Sequence, residues 1–324
     1  MFNVNERIRV GIIMAIVSII IAAYNAEKYI SETINSVLSQ TYPNIECIVV
    51  NDGSTDGTRE IVNNFGTRIK YVYQDNAERA AARNNGVAHA TGKYINYIDA
   101  DDLITSDKIA DQVTYLEQNP EYDLVYSKAK YFKDNGNRSY YSVPRITPQG
   151  DILDKLMYGN FINLGSPLIR KEAVDRVGGF DATRHDIILN EDWDFWLRLA
   201  ISGSRFGFID KYQLLYRVHE SNTSKARLRG IESKLKVIDK IINQYSELLI
   251  KKGTDCQRVL ESARAEYGRR LILEGRVAEG RILISAACKT DIPHRRYLQM
   301  FSLAARLFGH KVLAATQYLR KKEL

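Results

Sequence analysis

Residues 94–102, Tyr-Ile-Asn-Tyr-Ile-Asp-Ala-Asp-Asp, read as a strand that runs into three carboxylates, Asp99, Asp101 and Asp102. In an extended chain alternate side chains share a face, so the D-x-D spacing points Asp99 and Asp101 the same way. Carboxylates crowded in this manner repel one another unless a cation lies between them. Hard oxygen donors suit Mg²⁺ or Mn²⁺, ions that keep waters and take phosphate oxygens as further ligands. The expected partner is a metal-bound diphosphate. The plainer reading is a solvated turn leading into a helix N-terminus, where acids are favoured.

A second turn of this kind lies about fifty residues earlier. The apolar, β-branched run Ile45–Val50 passes into Asn51-Asp52-Gly53-Ser54-Thr55-Asp56-Gly57-Thr58, and a helix is expected over 58–64. Further upstream, Ala15–Ala23 reads as a buried strand that ends in Tyr24-Asn25-Ala26-Glu27, before a helix carrying Ile30, Ile34, Val37 and Leu38. Three strand ends therefore bring polar groups to one edge of a sheet, which is where open α/β sheets bind nucleotides.

On these turns the chain resembles the inverting, metal-dependent, GT-A-fold family of nucleotide-sugar glycosyltransferases, family 2. The matching stretches are VVNDGSTDGT at 49–58, AARNNGVAHATGKYINYIDADD at 81–102, GSPLIRKEAVDRVGGFD at 165–181, NEDWDFWLRLA at 190–200 and YRVHESNTS at 216–224. The resemblance spans residues 14–225. It implies an α/β fold with a Rossmann-like mixed sheet flanked by helices. It further implies that Ala22, Tyr24, Glu27, Asp52, Arg83, Asp99, Ala100 and Asp101 contact the nucleotide-sugar, with Asn84 beside Arg83 on the nucleotide side. Asp101 and, as in some members, His219 become metal ligands for Mn²⁺ or Mg²⁺, Asp192 the catalytic base, Glu191 a residue that orients the acceptor or supports the loop, and Trp193 an acceptor-side residue. Apart from the resemblance, Arg217 offers a fork of donors for phosphate, and a lone histidine such as His219 is otherwise a plain polar residue. One departure stands out: many relatives carry proline just after the first strand, where this chain has Ala22, which loosens that turn.

The chemistry agrees with such roles. Breaking the bond from an anomeric carbon to a diphosphate puts negative charge on the leaving group and oxocarbenium character on the sugar. A metal at Asp101 neutralises the first, and a carboxylate on the other side of the sugar takes the acceptor's proton. Asn190-Glu191-Asp192-Trp193-Asp194 supplies candidates at a helix start, where N-terminal capping is the competing role. Trp193 and Trp196 are three apart and share a helix face, for packing first and for sugar stacking second. Lys93, after Gly92, is either a solvated turn residue or a group near the nucleotide. The segment Gly86–Lys93 is not a P-loop, and no G-x-G-x-x-G occurs, which disfavours a dinucleotide oxidoreductase.

A chain of 324 residues that is 45% apolar holds one large α/β domain and an appendage. Cys47, Cys256 and Cys288 are too scattered for a disulfide framework or a zinc site, which points to a reducing, cytosolic setting. Arg7, Arg9 and the apolar run Val10–Ala23 imitate a signal peptide, but fourteen residues are too few to span a bilayer and cleavage would remove the first strand. Residues 1–13 are read instead as a dispensable extension.

The net charge of +7 is uneven: residues 226–324 hold 21 Lys and Arg against 10 Asp and Glu, leaving −4 for the rest. That break puts a boundary near 224–230, with a GT-A domain over 14–225 and a basic helical region over 226–324. Gly275 and Gly280 punctuate an expected helical hairpin, its second helix near Arg281–Lys289. In the last segment Leu298, Phe301, Ala304, Ala305, Phe308, Val312 and Ala315 recur at helical spacing among cations. Such a helix either lies on an anionic membrane or packs on protein; nucleic acid is not expected.

The resulting expectation is transfer of a sugar, from a UDP-sugar by family resemblance, to a hydroxyl of a glycan or lipid-linked acceptor in surface polysaccharide synthesis at the inner face of the plasma membrane. The alternatives are a sugar nucleotidyltransferase, whose basic Gly-rich N-terminal loop is missing here, and a noncatalytic module that binds nucleotide-sugar or protein.

Overall fold

The computed structural model of the chain describes residues 14–134, 138–142, 146–219 and 227–322. The extension expected at 1–13 lies outside them, as do Ser221 and Thr223 of the 216–224 stretch. The described residues fall into two compact units. The first lies within Met1–Leu156, Asn160–Thr183 and Glu191–Asn222, the second within Met157–Gly159, Arg184–Asn190 and Thr223–Leu324.

In the first unit strands and helices alternate: β1 (Val17–Ala23), α1 (Ile30–Leu38), β2 (Ile45–Asp52), α2 (Thr58–Asn63), β3 (Lys70–Gln74), α3 (Glu78–Ala88) and β4 (Tyr94–Asp99). Apolar runs make β1 and β2 central strands, as expected when both faces are covered, while β3 lies at the sheet edge. Ile19, Ile20 and Ile21 of β1 and Ile48, Val49 and Val50 of β2 are fully buried. The two strands pair in parallel from Val17 opposite Ile45 to Ala23 opposite Asn51. On its other side β1 pairs in parallel with β4, ending with Ala22 opposite Asp99. The three expected turns therefore open on one sheet edge. Cys47 is a buried core residue whose thiol burial pushes up to about 12.

The chain continues through β5 (Leu103–Ile104), α4 (Lys108–Gln118), β6 (Leu124–Asp134), β7 (Arg138–Ser142), α5 (Leu153–Leu156), β8 (Leu168–Arg170), α6 (Lys171–Val177), α7 (Glu191–Ile201) and β9 (Phe206–Arg217). The sheet order is β3-β2-β1-β4-β8-β6-β9-β5, with β7 paired to β6. β8 runs antiparallel to β4 and to β6, and β5 antiparallel to β9, so the sheet is mixed. The parallel pairing of β9 with β6 brings Arg217 opposite Phe132.

The second unit is helical: α8 (Arg227–Lys251), α9 (Cys256–Leu273), α10 (Val277–Ala287) and α11 (Arg295–Lys322), the last interrupted at Gly309. Composition gives no sign that Met157–Gly159 and Arg184–Asn190 cluster with these helices. Gly275, with φ of 91°, lies just past α9 as a chain reversal. Gly280 does something other than the expected punctuation. It lies inside α10, where a Cβ would stand 2.3 Å from the Gly268 carbonyl oxygen of α9, so the pair of glycines allows two backbones to cross closely.

Candidate active site

The strand does not carry the D-x-D spacing to its end. β4 stops at Asp99, and the Asp102 N–H donates to the Asp99 carbonyl at 3.1 Å, so Ala100 and Asp101 form a turn. The alternation argument for Asp99 and Asp101 therefore gives way to a tight reversal, which separates their roles. Thr33 of α1 holds the turn from beneath: its Oγ lies 2.9 Å from both the Ala100 and the Asp102 carbonyl oxygens.

Asp102 is buried, and its Oδ1 accepts the backbone N–H of Arg217 at 2.9 Å. Burial first, then the Asp101 and Asp99 charges, raise its carboxyl well above the ordinary range, against the N–H and the charge of Arg217. Asp101 is more open. Its Oδ2 lies 2.8 Å from Nε2 of His219, whose ring rests on Tyr29 at 4.9 Å.

Arg217 is not a free fork for phosphate. It is 1% exposed, its Nε donates to the Asp101 carbonyl at 2.8 Å, and its guanidinium lies between the rings of Tyr29 and Phe132. Its Nη2 pairs with Glu32 Oε2 at 3.3 Å, so the guanidinium ties the turn after β4 to α1 and β9.

Arg83 of α3, expected at the nucleotide, is likewise buried and is engaged in two ion pairs. Nη2 donates to Asp99 Oδ1 at 2.9 Å and Nη1 to Glu191 Oε1 at 2.8 Å. Burial works against this cation, but the Asp99 and Glu191 charges outweigh it and hold its pKa above the ordinary value. Asn84 is spent on structure too, exchanging hydrogen bonds of 2.8 Å with both backbone groups of Phe180. Lys93 pairs with Glu117 at 2.9 Å, at the end of β4 opposite Asp99, and so lies away from the nucleotide edge.

The turns after β1 and β2 are laced together. Asn25, at φ of 47°, accepts the Thr55 N–H at 2.8 Å, while Glu27 Oε2 accepts the Gly57 N–H at 2.8 Å. Ala22 itself lies inside β1, paired with Val50 and Asp99, so the expected loosening of a turn there does not apply. Tyr24 is half exposed at this edge. Asp52 is buried at the end of β2, where Oδ1 accepts from Gln74 Nε2 at 2.7 Å and from the Ala77 N–H at 2.8 Å. Gly53 is required here, because its φ is 71° and a Cβ would lie 2.7 Å from the Asn76 nitrogen.

On the far side of Arg83, α7 opens with Glu191 and Asp192. Glu191 is buried and held by Arg83, with Arg79 Nε at 3.7 Å. Asp192 is partly buried. Its Oδ1 accepts the Trp193 N–H at 2.8 Å and its Oδ2 accepts from Asn160 Nδ2 at 2.9 Å. Burial, then the Glu191 charge, push its carboxyl up to about 7, against Arg83, the Trp193 N–H and Asn160. Trp193 is not an acceptor platform. It is fully buried, and its indole N–H donates to the Leu156 carbonyl at 2.8 Å, so it anchors the helix start. Asn160 and Thr33 were not found by sequence reasoning, since neither lies in a spaced motif.

Asp101 and His219 offer an oxygen and a nitrogen donor on one side of the turn. Among the described residues no group of three His, Cys, Asp or Glu side chains forms a self-contained metal cage. Two protein donors nevertheless suit an ion that takes its other ligands from water and a diphosphate.

The comparisons agree with this frame. The model of "Glycosyl transferase family 2" matches residues 18–188. An uncharacterized glycosyltransferase of Rickettsia typhi is 31% identical over 226 residues, covering 67% of this chain and 68% of that one. One from Methanocaldococcus jannaschii is 28% identical, covering 66% and 74%. Among solved structures, residues 1–349 of S. aureus TarS superpose with a TM-score of 0.60 at 18% identity, covering 94% of this chain and 91% of that one. The mannosyltransferase PcManGT from Pyrobaculum calidifontis, in complex with GDP-Man and Mn²⁺, gives 0.54 at 20% identity, covering 90% and 86%. TarS has also been solved with UDP and with UDP-GlcNAc. With a family model matching more than half of its length, over the strands and turns described above, the chain belongs to glycosyl transferase family 2 and is a GT-A-fold glycosyltransferase.

Proposed function

We propose that the protein transfers a sugar, with inversion, from a nucleoside-diphosphate donor to a hydroxyl of a glycan or lipid-linked acceptor, and that Asp192 is the base. The observation that carries this is Asp192 itself: a carboxyl held near 7, beside an ion-paired Glu191 that Arg83 ties to the turn after β4. A base is most effective when its pKa lies near the working pH. Glu191 is occupied by Arg83, which leaves Asp192 as the acid of the pair that can accept a proton.

The donor's diphosphate belongs at Asp101 and His219, whose donors suit Mn²⁺ or Mg²⁺. A divalent ion bound there supplies charge neutralisation to the leaving diphosphate. Asp101 and His219 hold that end of the donor, and Thr33 and Arg217 keep the turn in place. Asp52, Glu27 and Tyr24 line the edge proposed for the nucleoside, with uridine the base suggested by the UDP-bound neighbours. Asp192 takes the acceptor proton on Oδ1 or Oδ2, and Asn160 fixes the carboxylate's orientation. Attack opposite the leaving group by a hydroxyl, without a covalent enzyme intermediate, inverts the anomeric centre. Supply of sugars to a surface polysaccharide is the setting proposed for this activity.

The test is Asp192→Asn. Turnover with the best sugar-nucleotide found in a donor screen should fall about a hundred- to ten-thousand-fold, while donor affinity by calorimetry stays within about twofold. Retained turnover removes Asp192 from the mechanism.

A further inference from the structure

Over residues 295–308 α11 carries two apolar faces, and the expected stripe divides between them, Val312 and Ala315 lying outside the described side chains. Leu298, Phe301 and Ala305 are buried against Ile284, Ala287 and Ile292 in the core of the helical unit. Tyr297, Met300, Leu303, Leu307 and Phe308 face outward, with 45% to 72% of their surface exposed. Tyr297, Met300, Leu303 and Leu307 follow one another at intervals of three and four residues, so they form a single stripe, which Phe308 extends. Large apolar side chains gathered in this way mark an interaction surface.

The charges beside the stripe identify the kind of partner. Arg295, Arg296 and Arg306 are exposed, and the helix sequence to Lys322 contains no Asp or Glu. Arg295 and Arg306 are eleven residues apart, close to three whole turns, and so lie on one flank of the stripe. A second copy docked two-fold on this face would bring rows of arginine together without a counter-charge, which disfavours self-association. An anionic bilayer meets both needs, since headgroups take the arginines and the acyl boundary takes the aliphatic and aromatic side chains. No described helix is long and apolar enough to cross a membrane, so the contact is one in which α11 lies in the plane of the surface.

We propose that the outward face of α11 over residues 295–308 docks the protein on anionic lipid. The helical interruption at Gly309, with φ of 73°, ends this segment directly after Phe308. The proposal does not depend on the transfer chemistry, so its test reads binding alone.

The full chain is sedimented with phosphatidylcholine vesicles with and without phosphatidylglycerol. Binding is expected only with the anionic lipid. Leu303→Glu with Leu307→Glu should reduce it at least about tenfold, since charged side chains replace the inserted ones. Arg295→Gln with Arg306→Gln should weaken it about 30-fold at low salt and much less at high salt, because each cation near such a surface contributes a few-fold that salt screens. All four positions are solvent-exposed, so melting temperatures of these variants should match the parent within a few degrees. Absence of binding to anionic vesicles at low salt overturns the proposal. So does a concentration-dependent dimer that Leu303→Glu with Leu307→Glu abolishes, with no lipid binding, which would assign the stripe to a second copy.

Discussion

Two acidic doublets sit on either side of Arg83, and they are used in the same way. After β4, Asp102 is buried and spent on the Arg217 backbone, while Asp101 stays open beside His219. At the start of α7, Glu191 is buried and spent on Arg83, while Asp192 keeps a partly open carboxyl. In each pair one acid builds the frame and its neighbour stays more open, which is the one to which the proposal assigns the chemistry. The order differs, however: the chemical acid comes first after β4 and second on α7. Adjacent acids are thus equal in sequence, and only the backbone direction decides which one turns inward.

This comparison breaks most readily at Arg83, which joins Glu191 of the second doublet to Asp99, at the end of β4 just before the first. Arg83→Met leaves the buried Glu191 and the Asp99 side chain without their shared cation, which should cost about 3–5 kcal/mol of stability in denaturant titration. An unchanged unfolding midpoint would mean that the two doublets are not coupled through it. Next in size is Asp102→Ala, which leaves the Arg217 N–H without its acceptor and should cost about 1–3 kcal/mol. Asp101→Asn should leave stability nearly unchanged and instead weaken donor binding when Mn²⁺ is present. Equal losses of stability in these two variants would refute the division of labour after β4.

A smaller effect concerns stability against pH. The Asp192 carboxyl is raised from about 3.8 to about 7 in the folded chain, so protonation favours folding. Its contribution to stability is fully present below the unfolded value and is lost as pH rises through about 7. Asp192→Asn removes that loss, so the variant should melt several degrees higher than the parent at pH 8 and show no such gain at pH 4. A smaller change again is expected for Thr33→Val, which removes the hydroxyl beneath Ala100 and Asp102 and should loosen donor binding several-fold without altering the fold.

The central strands were legible because burial on both faces leaves runs such as Ile45–Val50 that no surface element tolerates. The three polar turns were legible because Asn25, Asp52 with Gly53, and Asp99 sit at the ends of β1, β2 and β4. Arg217 was misplaced because its phosphate role and its burial between Tyr29 and Phe132 demand the same cation. For Trp193 the packing reading is the one the structure takes over the acceptor-side role: an indole suits a sugar face or a core, and the buried bond to the Leu156 carbonyl decides. Asn160 and Thr33 act through single hydrogen bonds across the fold, and no periodicity marks such positions. In α11 apolar residues occur on nearly every side, so two stripes fit the spacing, and packing against α9 and α10 selects Leu298, Phe301 and Ala305.

The most direct test of the account is the pH dependence of kcat/KM in the parent and in Asp192→Asn, measured with a saturating acceptor. A base held near 7 predicts an acid limb of unit slope that levels off above about pH 7, and the residual activity of the variant should lack that limb. Asn160→Ala in the same experiment should move the limb upward, because the amide hydrogen bond that lowers the Asp192 pKa is gone. A limb that survives unchanged in Asp192→Asn would contradict the assignment of Asp192 as the base, and a parent limb at pH 4 to 5 would contradict a raised Asp192 carboxyl.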